Sequence, residues 1–261
     1  MARSTFYYHL KALKRPDKYL VAKEEVARIF HRQKGRYGYR RIAIDLRTKG
    51  ITLNHKTVAS LMKQQGIKCM VREKKYHSYR GQPGRIAPNL IQRDFKAIAP
   101  NLKLVTDVTQ FSLFGQKLYL SPVMDLYNSE ILGYTICERA DLRMVTEMLK
   151  KVFKKLPERT NAILHSDQGW HYQNPYYQKI LRDKGLNQSM SRKGNCLDNA
   201  VMENFFGILK SELLYLQKFS SMDEFIRELI LYIDYYNNER IKEKLNGLSP
   251  VRFRTQSVQV I

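Results

Sequence analysis

Lys103-Leu-Val-Thr-Asp-Val-Thr-Gln-Phe111 and Lys117-Leu-Tyr-Leu-Ser-Pro-Val-Met-Asp125, joined through Gly115, are rich in β-branched and aromatic residues that alternate with polar ones. That is the pattern of two strands and a turn. Residues 131–138 supply a third strand, so a three-stranded meander is predicted to begin at 103. Further along, apolar spacing turns helical over 142–156. A short apolar run at 162–165 reads as a buried strand, 175–184 as a helix, 186–190 as a last strand and 198–214 as a long helix. The order βββαβαβα predicts an α/β fold, a mixed five-stranded sheet flanked by helices. A closing helix over 222–238 precedes a polar tail.

On the N-terminal side, 71–98 reads as a basic linker. Arg72, Lys74, Lys75, Arg80, Arg85 and Arg93 alternate there with Tyr76 and Tyr79, and Gly81, Pro83, Gly84 and Pro88 break any regular element. Such a segment is either a solvated tether or a track for a DNA strand. Before it, three short helices are predicted over 21–33, 39–49 and 55–65. Gly35 and Gly50 act as stops, and Asn54 is the N-cap of the third. This outlines a helix-turn-helix region over 1–70. In that geometry the last helix enters the major groove and the earlier one crosses the backbone, which aims His55 and Lys56 at DNA and sets Arg36, Arg40 and Arg41 on phosphates. A small helical bundle with a basic solvated face has the same outline.

Charge separates these readings from others. The 261 residues carry 46 Lys and Arg against 24 Asp and Glu, a net +22. Of this, +18 lies in 1–100 and +4 in 101–261. Polyanion binding through counterion release is the usual use of such an excess. With 43% hydrophobic residues the chain is not disordered throughout, and it holds no apolar run of eighteen or more residues that would span a bilayer. No secretory signal is legible, and three widely spaced cysteines form neither a disulfide framework nor a zinc ribbon. A soluble protein of a reducing cytoplasm, without a membrane partner, is expected.

Three carboxylates carry the chemistry. Asp107 lies within the first strand between Val105 and Val108, Asp167 follows the fourth strand in His165-Ser-Asp-Gln-Gly-Trp170, and Glu203 stands on the long helix. Elements of this order can bring all three to one end of the sheet. There, hard oxygen ligands suit a pair of Mg²⁺ ions for phosphoryl transfer. On the long helix Asn199, Glu203 and Lys210 fall within about 40° of one another, apart from an apolar arc containing Met202, Phe205, Phe206 and Leu209. A buried Asp107 requires a compensating partner.

Eight segments in order carry a family resemblance. They are Arg36-Tyr-Gly-Tyr-Arg-Arg-Ile42, Asn54-His-Lys-Thr-Val58, Ala87-Pro-Asn-Leu90, Val105-Thr-Asp-Val-Thr109, His165-Ser-Asp-Gln-Gly169, Leu197-Asp-Asn-Ala-Val-Met-Glu-Asn-Phe-Phe206, Tyr235-Tyr-Asn-Asn238 and Leu248-Ser-Pro250. Across nearly its whole length the chain resembles the OrfB-type DDE transposases of the insertion-sequence-three family, nearest its one-fifty subgroup. The resemblance implies an RNase H-like integrase core over 99–255 with C-terminal helices and a tail at 256–261. It makes Asp107, Asp167 and Glu203 the catalytic, metal-binding triad for two Mg²⁺, with Mn²⁺ able to substitute, and makes Lys210 a DNA contact near the cut. It implies cleavage at the ends of an insertion sequence and transfer of the freed 3′-OH to new DNA. It further implies an OrfA-type upstream protein or fusion as partner, a homo-oligomer on double-stranded DNA, and a bacterial, nucleoid-associated location.

One departure is Leu104, where the family commonly has Trp, a difference of packing rather than chemistry. Asp125 and Asp198 are expected near the site as supporting carboxylates. His165 and His171 read as hydrogen-bonded loop residues, and Trp170, Tyr172, Tyr176 and Tyr177 read as base-stacking or core aromatics. A nuclease on the same fold that does not join, and a DNA-binding regulatory subunit that does not cut, are the competing functions.

Overall fold

The computed structural model describes residues 3, 5–7, 17–71, 86–192 and 196–258. The chain forms two compact units, 1–71 and 72–261. In the first, α1 (Leu20–Arg32), α2 (Tyr39–Thr48) and α3 (His55–Gln64) each fall within a residue of the predicted bounds. Val26, Ile29, Ile42, Leu46, Val58, Leu61 and Met62 make its core. The Asn54 side chain accepts the Lys56 N–H at 2.8 Å and starts α3.

In the second unit β1 (Lys103–Thr106), β2 (Thr109–Leu113), β3 (Gln116–Asp125), β4 (Ile131–Cys137), β5 (Ile163–Ser166) and β6 (Asn187–Met190) form one mixed sheet. The single first strand expected over 103–111 is broken into β1 and β2, and both pair antiparallel with β3 in one continuous register. Thr106 faces Val123 and Thr109 faces Leu120, so Asp107 falls opposite Pro122. Proline has no N–H to give the ladder, and the Pro122 carbonyl is taken by the Thr106 hydroxyl at 2.9 Å. Pairing therefore lapses at Asp107, and six strand segments occupy five positions.

Alternate residues of the sheet supply two cores. Leu104, Val123, Leu132 and Leu164 pack under α4 (Leu142–Phe153) and α5 (Pro175–Lys184). Val105, Phe111, Leu120 and Met124 pack under α6 (Ala200–Leu209) and α7 (Met222–Asn238). Leu104 is fully buried, so leucine fills its place. Gly185 closes α5 at φ +82°, and a Cβ there would stand 2.9 Å from the Thr160 carbonyl oxygen. Gly185→Ala should cost roughly 1–3 kcal/mol, read as a lowered urea midpoint at unchanged slope.

Three expectations are corrected. The linker ends early: Leu90 donates its N–H to Ser189 Oγ at 2.9 Å, the Met190 N–H reaches the Pro88 carbonyl at 3.3 Å, and Ile91 enters the core, so 86–98 form a strap along β6. The long helix is composite. A 3₁₀ turn (Cys196–Asn199) leads into α6, and a π turn (Lys210–Leu214) follows. The polar stretch after α7 is structured as far as 258, by the Lys242–Leu248 bridge and by α8 (Pro250–Val258), which Asn128 and Glu130 tie to the sheet through the Pro250 carbonyl and Arg254. Among the described residues no helix is long and apolar enough to cross a membrane.

Candidate active site

Strand register explains why two of the carboxylates are neighbours. β1 and β5 are parallel and adjacent, with Val105 beside His165. Asp107 and Asp167 each lie two residues on, just past the C-terminal ends of β1 and β5. Adjacent strands are about 4.8 Å apart. Asp107 Oδ1 accepts the Val108 N–H at 2.7 Å, and Asp167 Oδ1 accepts the Gly169 N–H at 2.9 Å. Each carboxylate is thereby held by its own loop. Val105 shares one buried core with Met202 and Phe205 of α6, and that helix touches β1, which brings the helix carrying Glu203 over this part of the sheet.

The electrostatics record the convergence. Burial pushes the Asp107 carboxyl well above the usual range, the charge of Asp167 pushes it further, and Glu203 adds to this, opposed by the Val108 N–H and by Lys210. Burial also raises Asp167, against the Gly169 N–H. Burial lowers Lys210, which Asp107 partly offsets. The Lys210 ammonium stands 5.7 Å from the centre of the Phe111 ring at the C-terminal end of α6. Buried like charges of hard oxygen character, facing one cationic side chain, fit a divalent cation as the missing compensation. Among the described residues no three His, Cys, Asp or Glu side chains already surround one ion position. What converges is the field of the three groups, not a preformed coordination shell.

The supporting residues sort differently from expectation. Asp125 pairs with Leu104 at the far end of β1, where it accepts the Asn101 and Tyr127 N–H groups, so it lies away from Asp107. Asp198 is buried, and cationic partners hold its carboxyl far below the usual range, with Arg192 the strongest. His165 is hydrogen-bonded at both nitrogens, to Ser189 Oγ at 2.8 Å and to the Asp198 carbonyl at 2.9 Å. A carbonyl only accepts, so Nε2 carries the proton. His171 has no hydrogen-bond partner at either ring nitrogen among the described residues, and burial lowers its pKa to about 4. Tyr172 and Tyr177 are core residues, whereas Trp170 and Tyr176 are exposed.

In the first unit the expected DNA-facing residues divide. His55 and Lys56 are exposed at the start of α3, Arg40 is exposed, and the Tyr39 ring stacks on His55 at 5.9 Å. Arg41 is half-buried, its guanidinium 5.6 Å from the Tyr37 ring centre. Arg36 is only 6% exposed, in the turn between Gly35 and the fully buried Tyr37, with its carbonyl turned to Cys69. Its expected place on a phosphate is therefore withdrawn. Lys74 and Lys75 lie outside the described residues. Sequence reasoning passed over Arg192, Glu212 and Arg240; an arginine just after a strand end was the one available signal.

A mixed sheet whose antiparallel meander leads into two parallel strands, with acidic residues at the strand ends and on the following helix, defines an RNase H-like integrase core. Integrase core models match residues 97–196 and 203–258, and an HTH-like model matches 17–75. The HTLV-2 integrase catalytic core domain, solved in complex with magnesium, superposes with a TM-score of 0.50 at 15% identity over 60% of this chain and 98% of that one. This likeness is one of fold. The chain is 53% identical to the putative transposase InsK for insertion sequence element IS150 of Escherichia coli, over 98% of this chain and 90% of the relative. It is 36% identical to the probable transposase for insertion sequence element IS1353 of Shigella flexneri, over 97% of this chain and 50% of that protein. The chain belongs to the insertion-sequence-three family of transposases. It is thus a transposase of the polynucleotidyl-transferase type, which acts on DNA.

Proposed function

We propose that this transposase cuts DNA at the ends of an insertion sequence and joins the freed 3′-OH to target DNA, with Asp107, Asp167 and Glu203 holding two Mg²⁺ ions, or Mn²⁺ in their place. The carrying observation is the placement of Asp107 and Asp167 equally far past two adjacent, in-register parallel strands, both raised in pKa, with the charge of Glu203 acting on the first. Divalent cations bound there would stabilise charge on the attacking and leaving oxygens. The chain's own residues do the rest. The Val108 and Gly169 N–H groups fix the orientation of the two aspartates, α6 carries Glu203 on a helix locked into the core, and Lys210 offers its ammonium to a phosphate oxygen beside the cut.

Arg40, His55 and Lys56 bind the element end as duplex, with Arg41 supporting them. An OrfA-type protein or fusion is the expected partner. In support, the Shigella flexneri relative carries about as much chain again beyond the matched part. Two ends must be held together, which calls for a homo-oligomer on DNA.

Pre-cut element ends incubated with a supercoiled target separate the readings. Joined products that require Mg²⁺ or Mn²⁺ and vanish with a chelator are expected. Cutting without joining would indicate a nuclease, and tight binding with neither, even with OrfA supplied, a regulatory subunit.

A further inference from the structure

Five donors converge on the side chain of Asp198, which is wholly buried. Arg192 gives its backbone N–H and Nε–H to Oδ2, each at 3.0 Å, and an Nη2–H to Oδ1 at 3.1 Å. Arg93 gives Nε–H to Oδ1 at 3.0 Å, and Asn89 gives Nδ2–H to Oδ2 at 3.1 Å. Two guanidinium groups thus share one buried carboxylate, and both reach outward: the Arg93 and Arg192 side chains are 46% and 60% exposed.

The cluster is also tied to the strand that ends at Asp167. Ser191, next to Arg192, donates its N–H to the Ser166 carbonyl at 2.9 Å, and its own carbonyl accepts Gln168 Nε2–H at 2.9 Å. Those two contacts bracket Asp167 in sequence. From the other side, the Asp198 carbonyl accepts His165 Nε2–H.

We infer that Arg93 and Arg192, held by Asp198, form a binding fork for a backbone phosphodiester of the DNA strand that runs beside the active site. The fork rests on the reading of Asp107, Asp167 and Glu203 as the reacting centre. Guanidinium presents several N–H groups in a plane that matches phosphate oxygens, and Arg192 spends only two of its five on Asp198. Side chains already anchored by a buried carboxylate lose little freedom when a phosphate arrives. Contacts of this kind position DNA and do not read sequence. The strap residue Arg93 joins the site through this fork, although it comes more than a hundred residues before Asp198 in the chain.

The test is equilibrium binding of the full chain, without divalent cation, to a duplex carrying one end of the insertion element, over a range of salt. Arg192→Gln and Arg93→Gln should each flatten the slope of log affinity against log salt by about 0.9, the loss of one phosphate contact. Arg192→Gln leaves the buried Asp198 with less compensation. Arg192→Gln combined with Asp198→Asn removes that charge and should show the same flattened slope. Wild-type slope and affinity in both the double variant and Arg93→Gln would overturn the fork. The reading of the carboxylates fails on a different observable, the absence of strand breakage.

Discussion

Asp107→Asn, Asp167→Asn and Glu203→Gln are each expected to lower cutting and joining about a thousandfold or more, because phosphoryl transfer depends on charge stabilisation and alignment. The same Asp107→Asn change should stabilise the metal-free protein. The folded-state pKa of Asp107 lies well above the ordinary carboxyl value, through burial and the charges of Asp167 and Glu203, so the folded state holds a proton that the unfolded chain releases. For such a group, stability is greatest below the unfolded pKa of about 3.9 and declines as pH rises from there through the folded value. Asparagine carries no such charge and removes this decline. Thermal melts of wild type and Asp107→Asn between acid and neutral pH should therefore diverge as pH rises. Added Mg²⁺ should narrow the gap by stabilising the wild type alone. A variant that joins ends at the normal rate, or melts that stay parallel across pH, would remove Asp107 from the site.

The largest loss of stability is expected away from the carboxylates. Arg240 and Glu212 are both about 2% exposed and form a two-pronged pair, Nε to Oε2 at 2.8 Å and Nη2 to Oε1 at 2.7 Å. The Tyr232 hydroxyl donates to Oε2 at 2.9 Å. Arg240→Met or Glu212→Gln strands a buried charge and should cost roughly 3–5 kcal/mol in urea unfolding. Replacing both together, as Glu212→Leu with Arg240→Met, should recover most of that loss, since desolvating two ions offsets much of what their attraction contributes. Glu212 sits in the π turn that begins at Lys210. Single variants that still fold should thus also join ends more slowly, whereas an equal loss in the double and single variants would refute the pairing.

Much of this architecture is legible from local pattern. The three N-terminal helices follow from apolar spacing and the Asn54 cap, and α7 matches its prediction residue for residue. The nearness of Asp107 and Asp167 follows from their equal distance past two parallel strands, once those strands are known to be adjacent. Local pattern misled where long-range partners intervene. Arg36 reads as surface because arginine usually is, yet the turn after α1 folds it inward. The stretch 86–98 has the composition of a tether, but Ser189 and the sheet core claim its backbone and Ile91. The π turn after α6 leaves no mark in helical periodicity, and Arg240, which pairs with its Glu212, lies 28 residues along the chain.

Residue order settles most of the helices and strands, the basic N-terminal third and the identity of the acidic groups, since propensity, periodicity and charge reside in neighbouring residues. Folding in three dimensions settles what those groups experience: the lapse in pairing opposite Pro122, the burial and repulsion that lift Asp107, and the gathering of Arg93 and Arg192 on Asp198. Burial and Coulomb energy depend on distance through space, and for these residues that distance is set by sheet register and helix packing, not by separation along the chain.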